Sequence, residues 1–293
     1  MTDLGTLGGQ QSAAFGINGG GVACGWAQAA SGNALPALWN GSTIAALPTL
    51  GGNSGTAWGI NDAGIAVGLS YLGAGGYHAS FWNEGGVRDL GTLGGAYSIA
   101  YDINNRGVAV GTASDNSERD RAVLWGVGGP TDLGGLSSGS WTAARAVNDS
   151  GQVILWGTPP GAAKNRAAFW NGEPSSPVID LGTFGGGESW AFGLNDRGFV
   201  VGWAEEPDTT YHAFVWDGAE KTDLGTLGGF YSSAYGINDQ GIIVGYALDA
   251  FGLTHAVEWV PVPEPGVFPL SLLGGSMLAL GVGRWRPPSV RLR

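Results

Sequence analysis

The chain has 293 residues, of which 43% are hydrophobic and only 13% charged, and its net charge is −11. That is enough apolar material for a packed core, and the 56 glycines follow no G-X-Y period, which excludes collagen. Residues 1–260 carry 9 basic against 23 acidic side chains, a body that repels nucleic acid, because phosphate recognition needs a basic footprint. With Cys24 as the single cysteine, no disulfide framework and no thiolate metal cage can form.

The chain opens on DLGTLGGQQSAAFGINGGGVACG at Asp3, and the pattern returns in worn form at Ala46, at Asp89, shortened at Asp132, and again at Asp180 and Asp223. These starts are 43, 43, 43, 48 and 43 residues apart. A fixed period of this length marks a repeat architecture. Each repeat holds three short stretches rich in Val, Ile and aromatics with period-2 alternation, besides its DLG head. They read as four strands, in the sixth copy SAYGIN (a), GIIVG (b), HAVEW (c) and DLGTL (d). Nothing long enough for a helix fits between them.

The a–b link recurs as NDAG ending at Gly64, NDSG at Gly151, NDRG at Gly198 and NDQG at Gly241. A type I turn closed by a left-handed glycine suits this string. A calcium loop would need carboxylates at several alternate positions, and these turns supply one. The c–d link carries Asn40 with Gly41 and Asp217 with Gly218, read as two-residue hairpins. Counting outward places His78 opposite Asp89, Arg121 opposite Asp132, Arg166 opposite Asp180 and His212 opposite Asp223. Leu35 and Ala46 replace both partners in the first repeat. Opposed charges of this kind stabilise a sheet by about 0.2–1 kcal/mol. His255 has no DLG after it, and Asp3 is the carboxylate left over at the other end of the chain.

A chain that begins with the outer strand of its last sheet points to an all-β, six-bladed β-propeller over residues 1–260, each blade four-stranded and the ring closed by the N-terminal strand. The alternative is a linear β-solenoid. All three histidines occupy the strand-c position that Arg121 and Arg166 also fill. A guanidinium stays protonated, so the position calls for a positive partner to Asp, not a metal ligand or a general base; no metal or cofactor is expected. Trp39, Trp82, Trp125, Trp170, Trp216 and Trp259 recur four residues after it and are expected to pack between blades. Cys24 stands where other copies have Val67, Val110, Val201 and Val244, which predicts a small buried apolar residue.

Composition changes after Trp259. A proline-stiffened VPVPEPG leads into a 17-residue apolar run, Val267 to Gly283, and then RWRPPSVRLR. The run is at the short limit for a membrane-spanning helix, and the arginines beyond it place that end in the cytoplasm. No apolar leader precedes the first repeat, so an upstream in-frame segment with a basic start and an apolar core is expected. It would also have room for a seventh blade and would hand Asp3 another partner.

Two resemblances rest on these residues. The tail, residues 261–293, resembles a PEP-CTERM sorting signal through Pro263, Glu264 and Pro265, the apolar segment and the arginine cluster. The resemblance implies handling by an exosortase-type enzyme in a Gram-negative envelope and transient membrane anchoring through 267–283. The extension after Arg286 is longer than the usual arginine ending. The body, about residues 3–260, is similar to the HAF-repeat family of extracellular proteins, the name string appearing at His212, Ala213 and Phe214. That implies export and surface or matrix placement, and it brings no catalytic residues.

In a propeller the b–c and d–a loops share one face, and variable loops on a rigid scaffold are where binding is placed. Tyr97, Trp141, Glu188 and Tyr231 in the d–a loops are the ligand-binding candidates. The reading is a non-catalytic binding or scaffold module, with exopolysaccharide as the ligand class. The alternative, a glycoside hydrolase or lyase, needs two carboxylates about 5–9.5 Å apart. The acids that do not recur, Glu118, Asp120, Glu188, Glu205, Glu206 and Asp208, mostly read as solvated turn residues. No glycine-rich phosphate loop follows a strand.

Overall fold

A computed structural model describes residues 1–137 and 141–261. The sorting motif at Pro263, Glu264 and Pro265 and the apolar run 267–283 lie outside the described residues. The described residues form strands and turns, without a helix, in two compact units that divide between Gly182 and Thr183.

The first unit is a series of four antiparallel sheets, each with its four strands in chain order. Sheet I comprises β1 (Gly8–Ile17), β2 (Val22–Ala29), β3 (Ala34–Asn40) and β4 (Thr43–Ala46). Sheet II comprises β5 (Gly51–Ile60), β6 (Ala66–Leu72), β7 (Tyr77–Asn83) and β8 (Gly86–Asp89). Sheet III comprises β9 (Gly94–Ile103), β10 (Ala109–Asp115), β11 (Asp120–Gly126) and β12 (Gly129–Asp132). Sheet IV comprises β13 (Thr142–Val147), β14 (Val153–Gly157), β15 (Arg166–Trp170) and β16 (Ile179–Asp180). The second unit holds sheet V, β17 (Ser189–Leu194), β18 (Val200–Glu205), β19 (Tyr211–Trp216) and β20 (Lys221–Asp223). Sheet VI follows with β21 (Gly228–Ile237), β22 (Ile243–Asp249) and β23 (Thr254–Trp259), and one parallel bridge, Tyr211 to Tyr231, links it to sheet V.

The a–b hairpins have the geometry the NDxG string dictates. Gly64 N–H donates to the Asn61 carbonyl at 3.0 Å, and Gly64 sits at φ +76. The glycine of strand b answers a different need. Strand a bulges between Ala57 and Gly59, and its Thr56 carbonyl leans over Gly68, where a Cβ would collide with that oxygen. Ile99 and Gly111, and Ser233 and Gly245, repeat the arrangement.

The DLG heads are turns and not strands, which corrects the expectation. Strand d ends at the Asp, as β8 does at Asp89, and the next residue but one is a left-handed glycine (Gly91, φ +75), which no extended strand tolerates. The Asp oxygen Oδ1 accepts the Gly91 N–H at 2.7 Å, and Thr92 Oγ1 donates to the Gly95 carbonyl at 2.9 Å. Asp3 likewise lies in a turn and not in a strand. Its Oδ1 accepts the Gly5 N–H at 2.9 Å. Among the described residues β23 pairs with β22 alone.

All six strand-c tryptophans are buried, and Trp82, Trp125, Trp170 and Trp259 pack against the preceding sheet, whereas Trp39 packs within its own sheet against Ala23, Ala27 and Ala37. Trp125 lies against Val67, Ala79 and Leu90 of sheet II and its turn, and Trp259 against Val201, Ala213 and Leu224. Burying one indole removes about 200 Å² from water, roughly 5 kcal/mol of transfer free energy before entropy is subtracted. Polar clamps fix the register between sheets. Ser98 Oγ accepts the Ala79 N–H at 2.8 Å and donates to the Gly91 carbonyl at 2.8 Å, and Ser232 does the same for Ala213 and Gly225.

A second set of clamps runs along the a–b turns. In the first unit Asn18 Nδ2 donates to the Asn61 carbonyl at 3.0 Å, Asn61 Nδ2 to Asn104 at 3.0 Å, and Asn104 Nδ2 to Asn148 at 2.9 Å. The neighbouring acceptors interlock as well: Gly19 N–H donates to Asp62, Asp62 N–H to Asn105 and Asn105 N–H to Asp149, at 2.7–2.8 Å. In the second unit Asn195 Nδ2 donates to Asn238 at 2.9 Å and Asp196 N–H to Asp239 at 3.0 Å. In these turns the Asn and the residue after it join one repeat to the next, whereas Asn148 Nδ2 donates to Gln152 Oε1 of its own turn at 2.7 Å.

Candidate functional site

The recurring charge pairs sit at the ends of strands c and d. Asp89 Oδ2 accepts from His78 Nδ1 at 2.8 Å and Asp223 Oδ2 from His212 Nδ1 at 2.9 Å, while Arg121 meets Asp132 and Arg166 meets Asp180 at 3.0 Å. The register differs from the outward count. Ser80 faces Asp89, Val123 faces Asp132, Ala168 faces Asp180 and Phe214 faces Asp223. In sheets I–III the two-residue loop lies one residue later than counted (Asn40 faces Thr43, Asn83 faces Gly86 and Gly126 faces Gly129), and in sheet V the loop is four residues long; either way the pairing moves by two, so each charge pair is diagonal. A shift of two keeps both side chains on one face, and long side chains span the diagonal. The sixth histidine position departs from the pattern: His255 Nε2 meets Asp249 Oδ2 at 3.0 Å. Asp249 precedes the b–c turn of its own sheet, where a carboxylate reaches the first turn of strand c.

The four candidate ligand residues take different places. Tyr97 packs beside Tyr77 with centroids 5.7 Å apart, and Tyr77 beside Tyr71 at 5.7 Å. Burial, with a hydrogen bond to Asp120, pushes the Tyr97 phenol up to about 12. Tyr231 stacks on Tyr246 at 5.5 Å and meets Tyr211 at 5.7 Å. Glu188 accepts from Trp190 Nε1 at 2.8 Å, and Trp141 stands half exposed. Glu205, expected in a solvated turn, is instead buried, its Oε2 accepting the Gly187 N–H at 2.7 Å.

The second unit contains an open groove of about 850 Å³ where the b–c turns of sheets V and VI meet the d–a turn between them. Glu206, Asp208, Thr210 and His212 form one wall, Asp249 and Phe251 the other, and Gly228, Gly229 and Phe230 contribute from the d–a turn. Phe251 is 88% exposed and Phe230 60% exposed, which leaves both rings free for a ligand. The acids differ electrostatically. Burial holds the Glu206 carboxyl above its ordinary value. The Thr210 hydroxyl and backbone hold Asp208 below its own, and the Leu253 N–H and His255 do the same for Asp249. The hydrogen bond to Asp223 raises His212. Neither phenylalanine was singled out from sequence. Their repeat positions hold Gln10 and Ser31 in the first copy, and only the three-dimensional groove brings them together.

Glu206, His212 and Asp223 present ligand atoms within 4.8 Å of one another, the spacing at which a divalent ion could be held. The imidazole Nδ1 already points at Asp223, and Glu206 Oε1 lies 4.0 Å away. Arg121 and Arg166 fill the same position elsewhere, so the cluster fits an imidazolium between two carboxylates at least as well as a metal.

No protein-family model and no curated protein matches the sequence. Among solved structures, the chain is similar to TolB from Acinetobacter baumannii, with a TM-score of 0.49 and 12% identity over 71% of this chain and 52% of that one. The chain thus spans about half the length of that structure. It is also similar to the β-propeller domain of the Trilobed protease from Pyrococcus furiosus, described as having an open velcro topology (TM-score 0.41, 11% identity, 84% of this chain and 93% of that one). A third is the BP39L lectin from Burkholderia pseudomallei (TM-score 0.41, 14% identity, 85% and 81%).

Proposed function

We propose that the six repeats are blades of a β-propeller that is exported, processed through its C-terminal tail, and serves at the cell surface or in the matrix as a non-catalytic binding module for extracellular polysaccharide. The observation that carries this reading is the groove of the second unit, where two exposed phenylalanine rings stand beside carboxylates and a threonine hydroxyl. Rings offer a face to the C–H side of a pyranose, and carboxylates accept its hydroxyl protons. The export part rests on the tail's Pro263, Glu264, Pro265 and arginine cluster. Pull-down on a panel of matrix polysaccharides, with the parent and with Phe230→Ala and Phe251→Ala, tests the binding part. Retention of the parent and its loss in both variants supports it, and background retention of the parent discards it. Envelope fractionation with and without residues 261–293 tests placement.

One observation favours a second reading. Glu206 and Asp208 line one wall of the groove and Asp249 the other, an arrangement of facing carboxylates of the kind a glycoside hydrolase uses, and burial holds Glu206 above its ordinary value. Release of reducing ends by the parent, abolished by Glu206→Gln, would establish it in place of the first.

A further inference from the structure

The groove of the second unit carries more acid than a neutral sugar requires. Glu206, Asp208 and Asp249 line it, and His212 is its one basic lining residue. His212 is held by Asp223 at 2.9 Å, His255 by Asp249 at 3.0 Å, and the Lys221 ammonium rests 4.7 Å from the Phe184 ring and 5.7 Å from the Phe214 ring. These groups are thus already engaged, His255 with the lining carboxylate Asp249 itself, which leaves Glu206 and Asp208 as the acids that face the groove. The groove presents anionic oxygens beside two exposed aromatic faces, Phe230 and Phe251, over a floor of Gly228, Gly229, Ala250 and Gly252 that leaves the backbone accessible.

Carboxylates attract an ammonium and repel a uronate or a sulfate, and the face of a phenylalanine attracts a cation as well. We propose that this groove selects saccharides bearing protonated amines, of the glucosamine type, over N-acylated, neutral and acidic ones. The inference rests on the saccharide-binding reading above and names the sugar class. Each carboxylate within about 4 Å of an ammonium is worth roughly a fivefold gain in affinity in a water-like environment, and two such contacts give at least about tenfold. Ions at about 0.3 M should erase most of that gain, because the site is open to solvent.

The test is calorimetric titration of the full chain near pH 6 with four hexasaccharides, of glucosamine, N-acetylglucosamine, glucose and guluronate, together with hexalysine, each at low and high salt. The glucosamine hexamer should bind at least about tenfold more tightly than the others at low salt, with the margin shrinking at high salt. The double variant Glu206→Gln, Asp208→Asn should bring the glucosamine and N-acetylglucosamine hexamers to parity, while Phe251→Ala weakens both alike. Unchanged circular dichroism shows that the variants fold. Equal binding of the amine and N-acetyl hexamers, or tighter binding of the guluronate, overturns the selectivity and leaves polysaccharide binding standing. Hexalysine binding as tightly as the glucosamine hexamer overturns it too, as undirected charge attraction. Binding of none of the four sugars removes the polysaccharide reading itself.

Discussion

Asn104 is the buried middle link of the asparagine ladder and the sharpest place to test it. Its Oδ1 accepts the N–H groups of Val108 at 3.0 Å and Arg106 at 3.1 Å, and its Nδ2 donates to the Asn148 carbonyl in the next sheet at 2.9 Å. Only 4% of the residue is exposed. Asn104→Ala takes the acceptor from the Val108 and Arg106 N–H groups, while the Asn148 carbonyl keeps the Gly151 N–H at 2.9 Å. At about 1–3 kcal/mol for each group that water cannot reach, and with the turn partly open to solvent, the loss comes to about 2–4 kcal/mol. With a urea slope of about 2–3 kcal/mol/M, the unfolding midpoint should fall by about 1 M. Asn104→Asp separates donor from acceptor. It keeps both acceptor contacts but turns a carboxylate oxygen toward the Asn148 carbonyl, which favours the protonated acid in the folded state and raises its pKa above the unfolded value. Its deficit should therefore be largest at neutral pH and shrink as pH falls through that raised pKa, since the folded state then binds the extra proton. The assay is urea unfolding followed by tryptophan fluorescence at several pH values. A midpoint within about 0.2 M of the parent for Asn104→Ala, or a pH-independent deficit for Asn104→Asp, would refute the clamp.

Three further outcomes follow from the same geometry. Burial pushes the Asp102 carboxyl up to about 6, although Val147 and Ile103 N–H groups donate to it; a raised acid loses stability as pH rises from about 4 through 6. Asp102→Asn should remove a slope worth no more than about 3 kcal/mol, read from the difference between parent and variant urea midpoints across that window, and identical slopes would contradict it. The Cys24 thiol is pushed up to about 11 by burial, so it should resist a thiol reagent in the native protein and react within the dead time in urea; fast native labelling would show the site to be open. Asp132 holds both the Gly134 N–H at 2.7 Å and the Arg121 guanidinium at 3.0 Å, so Asp132→Ala should destabilise by about 1 kcal/mol more than Arg121→Ala; equal losses would mean that the turn bond contributes nothing.

Strands, turns and the faces of charged residues were legible because each is set by neighbours in sequence. Period 2 locates Val110 and Gly111, and the left-handed Gly64 closes its hairpin with the Asn61 carbonyl. The register of strands c and d was misread by two, yet the ion pairs formed, because parity and not register decides which face a side chain takes. Treating DLG as a strand failed for a local reason as well. The carboxylate of Asp89 takes up the Gly91 N–H that an extended strand would leave for a ladder partner. The expectation of a strand at Asp3 inherited that error, since the chain makes a turn there.

The parts that escaped notice are those whose partners lie one repeat away. Nothing in NDAG says that the Asn61 amide will reach the Asn104 carbonyl 43 residues on, although the recurrence of Asn at that interval is the signal that could have shown it. Tertiary geometry also divides the labour between the two kinds of turn. The a–b turns are tied to their neighbours by side-chain bonds, so a substitution there is felt in the adjacent sheet. The b–c turns spend their polar groups mainly on themselves and on their own sheet, as Asp208 does with Thr210 and Asp249 with Leu253. Their remaining side chains can therefore change from repeat to repeat without loosening the sheets, and Phe251 can stand in solvent on a turn whose backbone is already satisfied. A binding surface built there leaves the packing between sheets to residues that do not touch the ligand.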